Sequence, residues 1–268
     1  MKRLNENKIA VEFRLFFQRR SGGHAIVEWI ASHFDGKGIL INSLRPNVKW
    51  NKPTKYWNIE YPFHGANSEM ELRKHEKGKL KINHEFIITT YEDPLRYADH
   101  LYRSRINGVN TNKIKKIIVN RDIYNHIASR LKFDHRRKNA GPPGWYDKCI
   151  IDWEKLVTIS DSNPYIEINY NKWIKNKKYR IEIGKSLCLP NNDGHKLNTI
   201  PNYGGGSSFT GIKENANIKK LNSRWKTYIN EFGITQEFQK VLNSNSLREI
   251  NLSKFGWALN KKGELILR

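Results

Sequence analysis

Two short segments of this chain contain residue types and spacings that suit the binding of an anion. The first is Arg20-Ser21-Gly22-Gly23-His24, which follows an apolar run and stands directly before a helical pattern. A strand, a glycine turn and a helix start in that order direct several backbone N–H groups and the positive end of a helix dipole at one place. A basic side chain beside that place completes a pocket for a phosphate or a sulfate group.

The second segment begins with Arg121 and contains Ser129 eight residues later. It follows Lys115–Asn120, a short run typical of a buried parallel strand, and Ile123, Ile127 and Leu131 then recur at helical spacing. Ligands of open parallel sheets bind at the carboxyl ends of the strands. Both segments are therefore predicted to lie at the ligand-binding edge of one sheet.

The glycine turn belongs to neither of the two common nucleotide-binding motifs. The chain has no G-x-x-x-x-G-K-[ST] and no G-x-G-x-x-G. Their absence weighs against a nucleotide kinase and against a dinucleotide-dependent enzyme.

Strand patterns alternate with helical patterns along most of the chain. This alternation predicts an α/β fold in which helices flank a mainly parallel central sheet. Two stretches, 43–81 and 132–147, lack clear periodicity, and we expect them to be substrate-binding insertions in a single domain that spans 1–268. Trp29, Trp173 and Trp225 stand at helical spacing and are predicted to belong to the core.

Composition narrows the class of protein. A chain of 268 residues that is 38% apolar can bury one sizeable core, and two cysteines are too few for a disulfide framework. With neither a signal peptide nor a membrane-spanning run, we expect a soluble, cytoplasmic protein.

The net charge of +22 suits an anionic partner, which leaves three interpretations open. The partner could be a nucleic acid, a highly charged small-molecule donor or an acidic glycan acceptor, and part of the charge could serve solubility alone. Nucleic acid is the less favoured partner, because the basic residues are spread along the chain and no zinc-finger or helix-turn-helix pattern occurs.

Taken together, the two segments resemble the sulfotransferases that use 3′-phosphoadenosine-5′-phosphosulfate (PAPS). In that family a [K/R]-S-G loop after the first strand holds the 5′-phosphosulfate, and a later R-[DN]-x-x-[DN]-x-x-x-S holds the 3′-phosphate. The resemblance implies a P-loop-like fold. It assigns the loop residues Arg20 to His24 to the first task and Arg121 and Ser129 to the second.

Two further segments fit the same family. Tyr170 follows a strand pattern where the family has a Tyr step before a helix, and the resemblance places it at the donor. A late glycine-rich loop, which is followed by Arg224-Trp225, looks like the loop that closes over the donor. Its residues are Gly205, Gly206, Ser207 and Ser208.

The general base is the position where this chain departs from the family. The common K-T-H-x-P is absent, and Glu92 stands two residues before Pro94, where that His would be. We expect Arg20, Glu92 and His24 to be catalytic, with His64 and His84 as rival bases. Gly23-His24 replaces the Thr residues that the family often uses against the 5′-phosphate.

These observations predict an enzyme that moves a sulfuryl group from PAPS to a hydroxyl or amine of a glycan or a small molecule. No metal is expected, since the nine histidines form no pattern such as H-x-x-x-H. The alternatives are a basic nucleic-acid-binding protein and a kinase-like nucleotide- or phosphate-binding protein. The sequence names neither the acceptor nor the oligomeric state.

Overall fold

A computed structural model describes residues 11–34, 38–41, 56–59, 66–67, 86–93, 113–137, 144–159, 165–190 and 221–268. Within these ranges the strands are β1 (Val11–Phe17), β2 (Gly38–Ile41), β3 (Tyr56–Ile59), β4 (Ala66–Asn67), β5 (Phe86–Glu92), β6 (Ile114–Asn120), β7 (Ile166–Asn169), β8 (Trp257–Leu259) and β9 (Leu265–Leu267). The helices are α1 (Gly23–Ala31), α2 (Ile123–Arg137), α3 (Trp145–Ile159), α4 (Tyr170–Lys175), α5 (Lys177–Leu187), α6 (Arg224–Phe232), α7 (Gln236–Asn243) and α8 (Asn245–Phe255).

Seven strands form one sheet in the order β4-β3-β2-β5-β1-β6-β7. The five strands from β2 to β7 in that order are parallel, whereas β3 and β4 extend the sheet antiparallel. Strand β1 lies between β5 and β6, so that Phe17 is level with Glu92 on one side and with Val119 on the other. The carboxyl ends of these three strands consequently meet at one edge of the sheet. The predicted α/β class with a mainly parallel sheet is confirmed.

One face of β1 is apolar, and it packs against α1. Phe13, Leu15 and Phe17 alternate along the strand and share a core cluster with Trp29 and Ile30 of the helix. Because α1 begins only six residues after β1 ends, this packing fixes where the intervening turn lies.

A second core cluster joins α2 to the C-terminal helices. Ile127 and Leu131 of α2 pack with Trp153 of α3, Tyr228 of α6 and Phe238 of α7. The cluster holds the start of α2 beside the start of α6, which lie next to each other at the candidate site.

The three predicted core tryptophans are confirmed, since Trp29, Trp173 and Trp225 are all buried. The stretch 132–147, which the sequence predicts to lack regular structure, is helical at both ends. Helix α2 continues to Arg137 and α3 begins at Trp145, because apolar residues continue the helical spacing on both sides of the glycine-proline segment. The other predicted insertion, 43–81, contributes β3 and β4 to the sheet.

Among the described helices, none is long and apolar enough to span a bilayer. Cys149 and Cys188 are both free.

Candidate functional site

Residues 18–22 form the turn between β1 and α1, which we call the β1–α1 loop. The Ser21 N–H donates to the Gln18 carbonyl over 3.1 Å, and the Ala25 N–H donates to the Gly22 carbonyl over 3.0 Å. Both Arg20 (φ 72°) and Gly22 (φ 96°) have left-handed backbone. This path reverses the chain sharply and places the N-terminus of α1 at the sheet edge, where first-turn N–H groups have no acceptor within the helix.

Close packing requires glycine at positions 22 and 23. A Cβ on Gly22 would clash with the ring of Tyr170, and one on Gly23 would clash with the ring of Phe17. Tyr170, which the family resemblance assigns to the donor, thus lies against the β1–α1 loop.

Ser21 has a buried hydroxyl, whose Oγ has no hydrogen-bond partner among the described residues. Buried hydroxyls are usually hydrogen-bonded, so an unpaired one in this loop suits a ligand atom.

Arg121 follows β6 and is 1% exposed. It donates from Nη1 to the Arg20 carbonyl over 3.2 Å and from Nη2 to the Leu221 carbonyl, and its guanidinium carbon lies 5.1 Å from the centre of the Tyr170 ring. Burial lowers the pKa of Arg121, although Tyr170 and Asp122 act in the opposite direction. One guanidinium therefore links the β1–α1 loop to the segment before α6.

Ser129 lies two turns along α2, and its Oγ accepts a 2.7 Å hydrogen bond from Nη1 of Arg224. Burial, followed by repulsion from Arg121, lowers the pKa of Arg224 well below its usual value, and Arg20 lowers it further. In the sequence, Arg224 is marked only by its place after the late glycine-rich loop. The usable signal was a basic residue that opens an amphipathic helix beside a buried Trp.

We call Arg20, Arg121 and Arg224 the arginine cluster. The Asp122 carboxylate raises the pKa of both Arg121 and Arg224, although burial outweighs it in each. Asp122 is engaged elsewhere, because it caps α2 through the Asn125 N–H at 2.8 Å and accepts from the Asn171 side chain at 2.7 Å. The cluster thus brings two buried guanidinium groups, those of Arg121 and Arg224, close to the half-buried Arg20.

His126 is a residue that the sequence reading missed. It is fully buried, and neither ring nitrogen has a hydrogen-bond partner among the described residues. Burial lowers its pKa well below the usual value, and the neighbouring charges of Arg130, Arg121 and Arg20 lower it further. The imidazole is consequently neutral at pH 7.

The candidate bases Glu92 and His24 lie beside each other at the end of β5 and the start of α1. His24 Nε2 is 3.5 Å from Glu92 Oε1, while Arg19 Nε donates to Glu92 Oε2 over 3.2 Å. A carboxylate and an imidazole in contact offer two routes for a proton, and either can serve as the acceptor.

The structure thus gathers nearly all of the predicted site that it describes. Arg20, Ser21 and Gly22 lie in the β1–α1 loop, and Gly23 and His24 open α1 directly after it. The other predicted residues lie around them, namely Glu92, Arg121, Ser129 and Tyr170. The remaining predicted residues, Gly205, Gly206, Ser207 and Ser208 together with His64 and His84, lie outside the described residues. Across the ranges that the structure describes, no group of three His, Cys, Asp or Glu side chains is arranged to hold a metal ion.

Comparison with known proteins gives a likeness to solved structures alone. No family model matches the chain, and no curated protein matches it. Among solved structures the chain is similar to the mouse sulfotransferase SULT7A1 complexed with PAP, with 16% sequence identity and a TM-score of 0.41 over 90% of this chain and 88% of that one. The case for a function therefore rests on the residues of the site.

Proposed function

We propose that this chain is a PAPS-dependent sulfotransferase that acts on a hydroxyl or amine of a glycan or a small molecule. The observation that carries the proposal is the convergence of the β1–α1 loop with the arginine cluster. Arg121, Arg224 and Arg20 lie close enough at one sheet edge to lower the pKa of Arg224, and the buried Ser21 hydroxyl beside them has no hydrogen-bond partner among the described residues. An anionic ligand would relieve the repulsion between these like charges and accept from the hydroxyl.

The residues fit a ligand with two anionic ends. The β1–α1 loop offers Arg20, the Ser21 hydroxyl and the helix N-terminus to the 5′-phosphosulfate. Arg121 and Ser129, with Arg224 hydrogen-bonded to Ser129, would hold the 3′-phosphate. Tyr170, packed between the loop and Arg121, would border both parts.

The donor, when bound, supplies the sulfuryl group, and the chain's own residues supply charge and a proton acceptor. The Arg20 guanidinium would stabilise negative charge on the transferring oxygens. The acceptor hydroxyl or amine would give its proton to Glu92 or His24 as its oxygen or nitrogen bonds to sulfur. The S–O bond to the 5′-phosphate breaks in the same step and leaves PAP, which keeps the bridging oxygen.

Burial favours a compact ligand over a polynucleotide. Arg121 and Arg224 are 1% and 7% exposed, whereas phosphate backbones are held mainly by exposed basic side chains. A kinase-like reading has no support from sequence, since the Gly-Lys-Ser/Thr step is missing.

We place the activity in a single domain over residues 1–268. Two free cysteines suit the predicted cytoplasmic location. The acceptor itself is open to experiment.

The direct test is a transfer assay with radiolabelled PAPS and a panel of hydroxyl and amine acceptors, glycans included. We expect label to move to at least one acceptor without added metal. Failure of PAP to protect the protein against thermal unfolding, together with no transfer, would contradict the proposal.

A further inference from the structure

The backbone of Arg19, in the β1–α1 loop, is held from both sides by one buried ion pair. Its N–H donates to Oδ1 of Asp93 over 3.1 Å, and its carbonyl accepts from Nε of Arg130 over 3.3 Å. Arg130 Nη2 also donates to the same Asp93 oxygen. Asp93 and Arg130, which pair with each other, thus hold the peptide groups on either side of Arg19.

The pair joins three elements at the sheet edge. Asp93 directly follows β5, and its own N–H donates to the Phe17 carbonyl at the end of β1 over 3.0 Å. Arg130 follows Ser129 on α2, and its Nη1 lies 2.8 Å from Sγ of Cys149 on α3. Arg130 therefore ties the β1–α1 loop to α2, the helix that also contains Ser129.

Because both side chains are buried, the free energy of removing their charges from water offsets much of the attraction between them. The side chains of Arg130 and Asp93 are only 5% and 6% exposed. Burial alone would lower the pKa of Arg130, yet Asp93 and Cys149 raise it above its usual value, so the buried guanidinium stays charged. Buried ion pairs seldom add net stability compared with apolar packing, and specifying one conformation is one use that they can have.

The loop conformation needs such specification. Arg20, the next residue, has φ 72°, and Asp93 itself has φ 52°. Left-handed backbone at residues other than glycine is strained, and it persists where surrounding contacts over-determine it. Two of the three such residues in the described part of the chain belong to this arrangement.

We propose that Asp93 and Arg130 are positioning residues, which hold the β1–α1 loop in the conformation that binds the donor. The inference rests on the proposed function for the identity of the ligand alone. Neither residue is assigned a contact with the donor. The pair acts through the Arg19 peptide groups on Arg20, Ser21 and Gly22.

The test compares Asp93→Asn and Arg130→Met with the wild-type chain by amide hydrogen exchange, urea unfolding and calorimetry with PAP. We expect exchange in peptides that cover residues 18–25 to accelerate about tenfold or more in both variants. Peptides from β6 and β7 should exchange as in wild type, and PAP affinity should fall about tenfold. Arg130→Lys, which retains the charge, should recover part of both losses.

Asp147→Asn is the matched control. Asp147 pairs with Lys240 over 2.8 Å on the surface, with both side chains about half exposed, so the control removes an ion pair without touching the loop. It should leave loop exchange and PAP affinity unchanged.

Three results would overturn the inference. The first is unchanged loop exchange in the folded variants, and the second is equal acceleration in every peptide, which marks a merely structural pair. The third is normal PAP affinity beside a loosened loop. If wild-type protein binds no PAP, the proposed function fails, while loop exchange measured without nucleotide still decides the positioning role. Asp93→Asn keeps the side-chain size and an acceptor oxygen, so it remains informative if Arg130→Met does not fold.

Discussion

Arg121 combines a charge with nearly complete burial, and its direct hydrogen bonds go to backbone carbonyls of Arg20 and Leu221. Carbonyl oxygens satisfy N–H donors without neutralising the charge. A phosphate would accept from the N–H donors and also neutralise the charge. Hydrogen bonds that involve ionised groups are shorter and roughly twice as strong as those between neutral groups. We therefore expect this side chain to be the main source of affinity for the donor.

Arg121→Ala should weaken PAP binding by about 1.5–3 kcal/mol, which is the range for a hydrogen bond to a charged group. For adenosine 5′-phosphate, which lacks the 3′-phosphate, the loss should nearly vanish. Calorimetry with both nucleotides measures the difference. Equal losses for the two would show that Arg121 does not contact the 3′-phosphate.

Arg180→Ala serves as the matched control for that experiment. Arg180 is also a buried arginine that donates to a backbone carbonyl, that of Trp173, over 2.9 Å, but it lies on α5 outside the arginine cluster. Its loss should lower stability and leave the nucleotide affinity of the folded protein unchanged.

Arg20 is expected to act mainly on the transition state. Arg20 belongs to the β1–α1 loop, which would hold the sulfuryl group whose oxygens gain negative charge during transfer. Arg20→Ala should therefore lower kcat more than it raises the KM for PAPS. Steady-state kinetics at varied PAPS separates the two effects. A normal kcat with a raised KM would reduce Arg20 to a binding residue.

Glu92→Gln and His24→Gln distinguish the two candidate bases, which lie 3.5 Å apart. Loss of the general base should reduce transfer by about 10²- to 10⁴-fold, with PAP affinity near wild type. The variant with the larger loss identifies the base. If both remain active and His64→Ala or His84→Ala is inactive, neither Glu92 nor His24 is the base.

The residues found from sequence are those with a local signature. Arg121 and Ser129 have fixed spacing after a strand pattern, and the glycine turn at Gly22 precedes a helix pattern. Arg224, His126 and Asp93 were not predicted as site residues. Arg224 and Ser129 are 95 residues apart, and Asp93 and Arg130 are 37 apart, so that only tertiary packing brings these pairs together. His126 was missed because a histidine within an amphipathic helix has no signature of its own in the sequence.

At the scale of elements, alternation of apolar residues predicted the described strands of the parallel core well, because each buries at least one face. The helix starting near Trp145 was missed because the preceding glycine-proline run, with its basic surroundings, resembles a long loop. The addition of β3 and β4 was also missed, since short antiparallel edge strands show little periodicity.

Strand β1 contains an element-scale test of stability. Arg14 Nε and Nη2 both donate to the Glu12 carboxylate over 2.9 Å, Thr89 donates to it over 3.2 Å, and both charged side chains are buried. Arg14→Met removes the arginine that pairs with the buried Glu12 carboxylate, and it should lower the free energy of unfolding by about 3–5 kcal/mol. The double variant Glu12→Leu/Arg14→Met should recover most of that loss in urea unfolding.

The surface variant Asp147→Asn again provides the reference, since exposed pairs contribute about 0–1 kcal/mol. If Arg14→Met costs no more than Asp147→Asn, the β1 pair does not have the role described.

At the scale of the whole molecule, the two core clusters meet around the arginine cluster. The sheet core fixes the β1–α1 loop through Phe17 and Tyr170, and the helical core fixes α2 and α6 through Ile127 and Tyr228. Buried charge at this junction should make global stability sensitive to further protonation there.

His126 should make the protein less stable as the pH falls. Its pKa is lowered from the usual 6.5 in the folded state, so the unfolded chain takes up the proton first as pH falls. Stability from this group is complete above about pH 6.5 and declines below it, by at most ~1.4 kcal/mol per pH unit. Urea unfolding between about pH 7 and pH 5 should show the decline, and His126→Gln should flatten it. An identical slope in the variant would mean that His126 does not titrate on unfolding.

The central claim is that a buried cationic site here binds a nucleotide with both a 5′- and a 3′-phosphate. Calorimetry of the wild-type chain with PAP and with adenosine 5′-phosphate tests it most directly. We expect one PAP to bind per chain, about tenfold or more tighter than adenosine 5′-phosphate, which corresponds to about 1.4 kcal/mol or more from the 3′-phosphate. No measurable PAP binding, alongside salt-sensitive binding of DNA or RNA in a gel shift, would contradict the account and favour a nucleic-acid-binding protein.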